Sequence, residues 1–125
     1  MQESGEMYLE TILTLIRDNG NVRSIDIADA MNFSKPSVSR AVNKLKADGY
    51  ITIDKSGYIA LAPSGQEIAE KIYERHIVLT EFLTSLGVNK ITAATDACRM
   101  EHVISDESFQ ALKGLITEYQ KLKKK

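Results

Sequence analysis

Two features are scarce in this sequence: long apolar runs and cysteine. No apolar run approaches the roughly 20 residues that a helix needs to cross a bilayer. The first six residues have neither the basic nor the apolar region of a secretory signal. The single cysteine, Cys98, cannot form an intramolecular disulfide, and a free thiol is typical of a reducing compartment. These absences predict a cytoplasmic protein that does not associate with membranes.

The chain also lacks a large excess of charge, since its formal net charge is -1. This balance argues against a protein that coats nucleic acid without selectivity, but it leaves room for a local basic patch. Residues 34–54 contain two aspartates and four cationic residues, which are Lys35, Arg40, Lys44 and Lys46. A length of 125 residues, with 43% hydrophobic and 26% charged side chains, is that of one ordinary globular domain or two small ones.

The spacing of apolar residues predicts three helices in the first half of the chain, at residues 7–19, 24–31 and 34–48. Ser24 and Ser34 are the expected N-caps of the second and third helices, and Pro36 falls in the first turn of the third. After Gly49 the apolar residues alternate, which predicts a hairpin with strands at 50–53 and 58–61. This order of elements is that of a winged helix-turn-helix DNA-binding domain.

Three further helices are predicted after the hairpin, at about residues 64–86, 90–104 and 106–120. Asn89 and Ser105 are the expected N-caps of the last two. The predicted buried face of the last helix consists of Phe109, Leu112, Ile116 and Tyr119. The fold is therefore predicted to be mainly α, with a winged helix-turn-helix domain at residues 1–63 and an all-helical domain at residues 64–125.

The exposed side of the third helix is the predicted DNA-binding surface. It combines hydroxyl and amide groups, which can reach base edges, with cations that can neutralise phosphates. The predicted contacts are Ser34, Lys35, Pro36, Ser37, Ser39, Arg40, Asn43 and Lys44 on this helix, and Lys55 at the hairpin tip. Such residues can also simply solvate a surface helix, but the whole order of elements favours DNA binding.

A metal site is indicated by the short run Cys98-Arg99-Met100-Glu101-His102. If this run is helical, Cys98 shares a face with both Glu101 and His102, because residues three and four apart are neighbours on a helix. A thiolate, a carboxylate and an imidazole would then converge.

Three further donors lie on other predicted helices: Met7 and Glu10 on the first, and His76 on the fourth. Sulfur donors beside carboxylate and imidazole suit late divalent transition metals better than Mg²⁺ or Ca²⁺. Each residue also has a structural alternative, because Met7 and Cys98 can fill a core, His76 can be a hydrogen-bonded interior histidine, and glutamates often solvate helices.

Four segments of the sequence also carry a resemblance to a known family: residues 6–12 (EMYLETI), 34–39 (SKPSVS), 75–76 (RH) and 97–107 (ACRMEHVISDE). Over about residues 5 to 120 the chain resembles the diphtheria-toxin-repressor (DtxR) family of metal-dependent bacterial repressors, which includes the manganese-sensing MntR branch. The last segment is the most specific of the four. The resemblance implies a short form of the family without an SH3-like domain.

The resemblance implies a primary metal site of the iron-sensing type, with the ligands Met7, Cys98, Glu101 and His102. Glu10 matches the manganese-sensing branch instead, and His76 matches one ligand of a second, ancillary site. Thr80 and Ala94 stand where the iron-sensing branch has a glutamate and a histidine, so a complete ancillary site of that type is not expected. Glu10 and His76 could complete a second position next to the primary one, as in the manganese-sensing branch.

Together these patterns predict a homodimeric, metal-dependent repressor that binds an operator in double-stranded DNA and is not an enzyme. The all-helical domain would be the metal-binding and dimerisation domain, with dimer contacts from its last two helices and the end of the helix before them. The expected metal is Fe²⁺, or another divalent transition metal such as Mn²⁺, Co²⁺, Ni²⁺ or Zn²⁺.

Several alternatives remain open at this point. The chain could be a manganese-responsive regulator of the same family, or a winged-helix regulator in which Cys98 senses oxidation. A metalloenzyme or thiol hydrolase using Cys98 and His102 is disfavoured, because no Gly-rich loop or cleft motif supplies an oxyanion site. A non-enzymatic adaptor is a further option, which the loss of all phosphate contacts would mark.

Overall fold

The computed structural model describes residues 2–123, which form six helices and a two-stranded sheet. The elements are α1 (Glu3–Asn19), α2 (Ser24–Met31), α3 (Lys35–Ala47), β1 (Ile51–Ile53), β2 (Ile59–Leu61), α4 (Pro63–Ser85), α5 (Lys90–Met100) and α6 (Asp106–Lys123). This order confirms the predicted fold, a winged helix-turn-helix followed by helices. Met1, Lys124 and Lys125, which the predicted domain ranges include, lie outside the described residues.

The chain divides into two compact units within α4, a first unit up to Lys71 and a second unit from Ile72 onward. The predicted boundary between residues 63 and 64 lies at the start of α4. That the DNA-binding domain ends there and the metal-binding domain begins remains a prediction. In the described part of the chain, no helix is both long and apolar enough to cross a membrane.

The first unit has a core built from one side of each of its three N-terminal helices. The buried residues are Tyr8, Leu9, Ile12 and Leu13 of α1, Ile27 and Ala28 of α2, and Val38, Val42 and Leu45 of α3. Tyr8 is 7% exposed, and its burial raises the pKa of its hydroxyl group.

The hairpin packs onto this core through Ile51 and Ile59, which are both buried. The strands are antiparallel, with Ile51 opposite Leu61 and Ile53 opposite Ile59. The Ile59 amide also donates to the carbonyl of Val22 at 2.7 Å, which ties the second strand to the segment before α2. The wing is therefore fixed to the helices at its base and extends from them at its tip.

The second unit has a smaller core, in which α4, α5 and α6 each contribute two residues: Ile72, Leu79, Ala93, Ala97, Phe109 and Ile116. Tyr119 was predicted to lie on the buried face of α6, but it is 49% exposed. That prediction was wrong because the apolar stripe of α6 extends beyond the part of the helix that other residues cover.

Three predicted helix starts or ends also differ from the structure. The first helix was predicted to begin at residue 7 but begins at Glu3. Arg23 and not Ser24 is the N-cap of α2, because the Arg23 amide donates to the Asp26 carboxylate at 2.8 Å and closes the first turn one residue earlier. The fifth helix was predicted to reach Ile104 but ends at Met100. In contrast, the predicted N-caps Ser34, Asn89 and Ser105 each accept a hydrogen bond from a backbone amide in the first turn.

Candidate functional site

The polar residues of α3 form a continuous exposed stripe on the side away from its buried residues. They recur at intervals of four residues, which keeps them on one side of the helix: Lys35, Pro36, Ser39, Arg40, Asn43 and Lys44, all exposed. No acidic residue lies in the first turn of α3, and Lys44 and Lys46 lie in its last turn. The stripe can therefore approach a phosphate backbone without charge repulsion.

The N-terminus of α3 carries a small network of hydrogen bonds. The Ser34 hydroxyl accepts from the Ser37 amide at 3.3 Å and donates to the Ser37 hydroxyl at 2.8 Å. The Arg40 guanidinium donates to the same Ser37 oxygen at 3.4 Å. Ser37 thus holds the end of the Arg40 side chain near the helix N-terminus, where helix-turn-helix proteins contact base edges.

The hairpin tip presents Lys55 to solvent in a turn whose shape is set by Asp54. The Asp54 carboxylate accepts from the amides of Ser56 and Tyr58, each at 2.9 Å. The Tyr58 ring lies under the Arg23 guanidinium, with 4.4 Å between the guanidinium carbon and the ring centroid. This cation–π contact places a second exposed cation beside the wing.

In the second unit, the carboxylate of Glu101 lies between two imidazoles. Its Oε2 is 2.9 Å from Nδ1 of His76, and its Oε1 is 3.3 Å from Nε2 of His102. The Glu101 side chain is fully buried, the His102 side chain is 1% exposed, and the His76 side chain is 29% exposed. The structure therefore brings together three of the six predicted ligands within this unit.

Glu101 and His102 do not lie on a continuous helix with Cys98. Helix α5 ends at Met100, Glu101 is its C-cap, and a turn carries the chain through His102. Cys98 remains half-buried on α5, three residues before Glu101. The predicted helical face therefore extends from Cys98 only to Glu101. His102 reaches the Glu101 carboxylate from the turn.

The donor set fits a divalent transition metal. The Glu101 Oε1 atom is completely buried, and the His102 imidazole 3.3 Å away does not donate a hydrogen bond to it, nor does any other described residue. A buried carboxylate oxygen without a donor is costly, and a cation bound there would relieve this cost. Two imidazoles and a carboxylate, with a thiol on the adjacent helix, are ligands that late divalent metals accept.

The other two predicted ligands, Met7 and Glu10, lie on α1 in the first unit. Both are half-buried, and they are three residues apart on one face of the helix. In the first unit they stand beside the buried residues Tyr8 and Leu9 and remain partly accessible.

Comparisons with known proteins agree with both halves of this description. Residues 1–60 match the model of the iron dependent repressor N-terminal DNA binding domain, and residues 62–121 match that of the iron dependent repressor metal binding and dimerisation domain. The chain is 33% identical to the HTH-type transcriptional regulator MntR of Geobacillus thermodenitrificans, over 94% of this chain and 83% of the relative. The chain belongs to the DtxR/MntR family of metal-dependent transcriptional regulators.

Further relatives give similar matches. An uncharacterized HTH-type transcriptional regulator of Methanocaldococcus jannaschii is 32% identical, over 95% of this chain and 97% of the relative. The structure of the manganese regulator SloR superposes with a TM-score of 0.80 and 28% identity, covering 90% of this chain and 53% of SloR. The chain thus spans about half the length of this solved DtxR/MntR relative.

Two arginines of this DtxR/MntR member have contacts near the proposed sites that the sequence did not predict. Arg23 lies beside the wing through its contact with Tyr58. Arg75 is 7% exposed and donates to two backbone carbonyls near Glu101. The only signal for Arg75 was its place in the Arg75-His76 pair of the family resemblance, and no local pattern pointed to Arg23.

Proposed function

We propose that this chain is a homodimeric repressor that binds an operator when a divalent transition metal is bound. The observation that carries the proposal is the buried Glu101 carboxylate between the imidazoles of His76 and His102. A winged helix-turn-helix precedes this cluster in the same chain. The proposed role is control of the genes for metal homeostasis, in the cytoplasm.

The proposed ligands are His76, Cys98, Glu101 and His102 in the second unit, with Met7 and Glu10 of α1 completing the set. When bound, the metal would supply positive charge at the buried carboxylate and a connection among helices that are far apart in sequence. His76 and Glu101 already hold each other at hydrogen-bond distance, so these donors need little rearrangement. Cys98 and His102 are assigned to metal binding and not to nucleophilic catalysis.

Fe²⁺ is the first candidate metal and Mn²⁺ the second. Met7 and Cys98 offer soft sulfur donors, which favour Fe²⁺ or Co²⁺ over Mn²⁺. The names of the relatives support Mn²⁺ at least as strongly, since one is an MntR and another is described as a manganese regulator. Glu10 and His76 offer the oxygen and nitrogen donors that a manganese site would use.

Operator binding by the metal-free chain, titrated with each metal, tests this proposal. Duplexes selected from a random pool, separately with Fe²⁺ and with Mn²⁺, provide the DNA, and Co²⁺, Ni²⁺ and Zn²⁺ are added for comparison. We expect metal to raise DNA affinity at least tenfold, with Fe²⁺ or Co²⁺ acting at lower concentration than Mn²⁺. Equal DNA affinity with and without metal would contradict the proposal, and stronger activation by Mn²⁺ would select the second candidate.

The DNA contacts are proposed to come from the exposed stripe of α3 in the major groove. Pro36 and Ser37 lie at the helix N-terminus and would face base edges, whereas Lys35, Arg40 and Lys44 would contact phosphates. Lys55 at the wing tip would reach a neighbouring stretch of backbone, and Arg23 joins it as a proposed phosphate contact. In a dimer the two α3 helices would enter successive major grooves, about 34 Å apart.

The dimer interface is proposed to lie on the second unit, where exposed apolar residues are concentrated. Leu86, Leu115 and Tyr119 are 66%, 57% and 49% exposed, and they border a groove of about 630 Å³ between the end of α4 and α6. Apolar surfaces of this kind are typical of subunit interfaces.

The substitution Leu115→Asp should weaken the dimer about tenfold or more, because it places a charge in an apolar interface. Sedimentation equilibrium measures this effect. Ile25→Asp provides the control, since Ile25 is 44% exposed in the first unit, outside the proposed interface. A Leu115→Asp variant that dimerises like the wild type would move the interface elsewhere.

A further inference from the structure

A buried guanidinium holds the segment that carries Glu101 and His102. Arg75 lies on α4, and its Nη1 atom donates to the carbonyl oxygens of Glu101 at 3.1 Å and Ile104 at 3.0 Å. The residue is only 7% exposed. A buried charge is costly unless it is hydrogen-bonded. Two carbonyl groups match Nη1, whereas the buried Nε atom has no hydrogen-bond partner among the described residues.

The held segment, residues 101–105, is the connection between α5 and α6. Carbonyl groups at the end of a helix have no partners within that helix and must find donors elsewhere. Arg75 supplies a donor to Glu101, the C-cap of α5, and to Ile104, just before the N-cap of α6. One side chain thus fixes both ends of the turn that carries His102.

Two weaker contacts orient the same guanidinium. Its Nη2 lies 3.7 Å from the Asp106 carboxylate, and its central carbon lies 5.5 Å from the centroid of the Phe109 ring. The Asp106 side chain is 60% exposed, so this ion pair contributes little to stability. The buried Phe109 ring, in contrast, gives the guanidinium a fixed surface to lie on.

Arg75 directly precedes His76 in the sequence. Helix α4 therefore carries both one proposed ligand, His76, and the residue that binds the main chain around the other two, Glu101 and His102. The Glu101 backbone is held by Arg75 while the Glu101 carboxylate is held by His76. The orientation of Glu101 is therefore fixed from both its main chain and its side chain by consecutive residues of α4.

We propose that Arg75 is a positioning residue for the metal, which sets Glu101 and His102 in place before the metal binds. This inference rests on the proposed metal-binding function. Groups that orient metal ligands without touching the metal typically change metal affinity by about 10–100-fold when they are removed. Arg75 would orient the ligands by binding two main-chain carbonyl groups, and not by binding a ligand side chain.

Titration of the metal-free full chain with Co²⁺ tests the proposal in Arg75→Met, Arg75→Lys and the wild type. Calorimetry gives the affinity, and the Co²⁺ absorption spectrum reports the geometry of the ligands. We expect a loss of about 10–100-fold and an altered spectrum for Arg75→Met. Arg75→Lys, which keeps one donor group, should recover part of the affinity.

Lys113→Met is the matched control. Lys113 also joins α6 to α4, through an exposed ion pair with Glu74 at 2.8 Å, and this ion pair does not involve residues 101–105. It should bind Co²⁺ with the affinity and spectrum of the wild type. Thermal unfolding of each metal-free variant separates a loss of fold from a loss of ligand geometry.

Folded Arg75→Met with wild-type Co²⁺ affinity and spectrum would overturn the proposal, even if its thermal stability were lower. If Arg75→Met does not fold, Arg75→Lys decides: a loss of about tenfold with an altered spectrum supports the proposal, and wild-type behaviour overturns it. A wild-type chain that binds no Co²⁺ would instead refute the metal-binding function itself, and the positioning role with it.

Discussion

The exposed stripe of α3 and the turn at residues 101–105 both carry polar groups, but they differ in what surrounds those groups. Ser39, Arg40 and Asn43 on α3 are exposed to solvent. Glu101 is fully buried, and its main-chain and side-chain oxygens face a guanidinium and two imidazoles. Water solvates the first group of residues, whereas neighbouring side chains must solvate the second.

This difference decides how the two regions tolerate change. Replacing an exposed polar residue usually changes stability by no more than about 0.5 kcal/mol, so α3 can be altered for a new operator with little effect on folding. Removing one member of a buried polar group leaves its partners without hydrogen bonds or with an unbalanced charge. Substitutions near Glu101 should therefore be strongly non-additive, and those on α3 largely independent.

The largest effect is expected from Glu101→Gln in the buried cluster. The amide keeps the size of the side chain but removes the charge that would attract a cation, so Co²⁺ affinity should fall by more than about 100-fold, beyond the usual effect of a supporting residue. Calorimetric titration of the metal-free chain measures this. Glu107→Gln, an exposed glutamate on α6, should bind Co²⁺ like the wild type; equal affinities for all three chains would remove Glu101 from the site.

A smaller effect is expected from Arg40→Ala on the exposed stripe. Loss of one phosphate contact should weaken binding to every duplex by about tenfold and lower the salt slope by ~1, with the melting temperature unchanged. Fluorescence anisotropy at several salt concentrations gives both quantities. Lys71→Ala removes one exposed cation from α4 and serves as the control for net charge. An equal loss in that variant would mean that α3 does not dock.

The stripe of α3 could be predicted from the sequence because its determinants are local. The N-cap Ser34, the proline in the first turn and the buried residues Val38 and Val42 all lie within a few positions of one another. Each of them acts through the geometry of a single helix. The exposed face followed directly from the positions that remained.

The turn at residues 101–105 could not be predicted in this way, because distant residues determine it. The hydrogen bonds from Arg75 to Glu101 and Ile104 span 26 and 29 positions, and that between His76 and Glu101 spans 25. Apolar spacing alone predicts that α5 continues to Ile104. In the structure α5 ends at Met100, and Arg75 donates hydrogen bonds to the carbonyl oxygens of Glu101 and Ile104. The residue types indicated metal ligands, but only the fold shows which ones meet.

The smallest predicted effect concerns Ser37, which tests whether the exposed stripe is as independent as its solvation implies. The Ser37 hydroxyl accepts from the Arg40 guanidinium at 3.4 Å and from the Ser34 hydroxyl at 2.8 Å. The cap itself is the hydrogen bond from the Ser37 amide to the Ser34 hydroxyl. Ser37→Ala should therefore keep the helix cap, change the preferred operator sequence and release Arg40. A double-mutant cycle with Arg40→Ala, measured by DNA affinity, should give a coupling of about 0.5 kcal/mol. Strict additivity would mean that Ser37 contacts DNA without orienting Arg40, and unchanged preference and affinity in Ser37→Ala would place the helix N-terminus away from the bases.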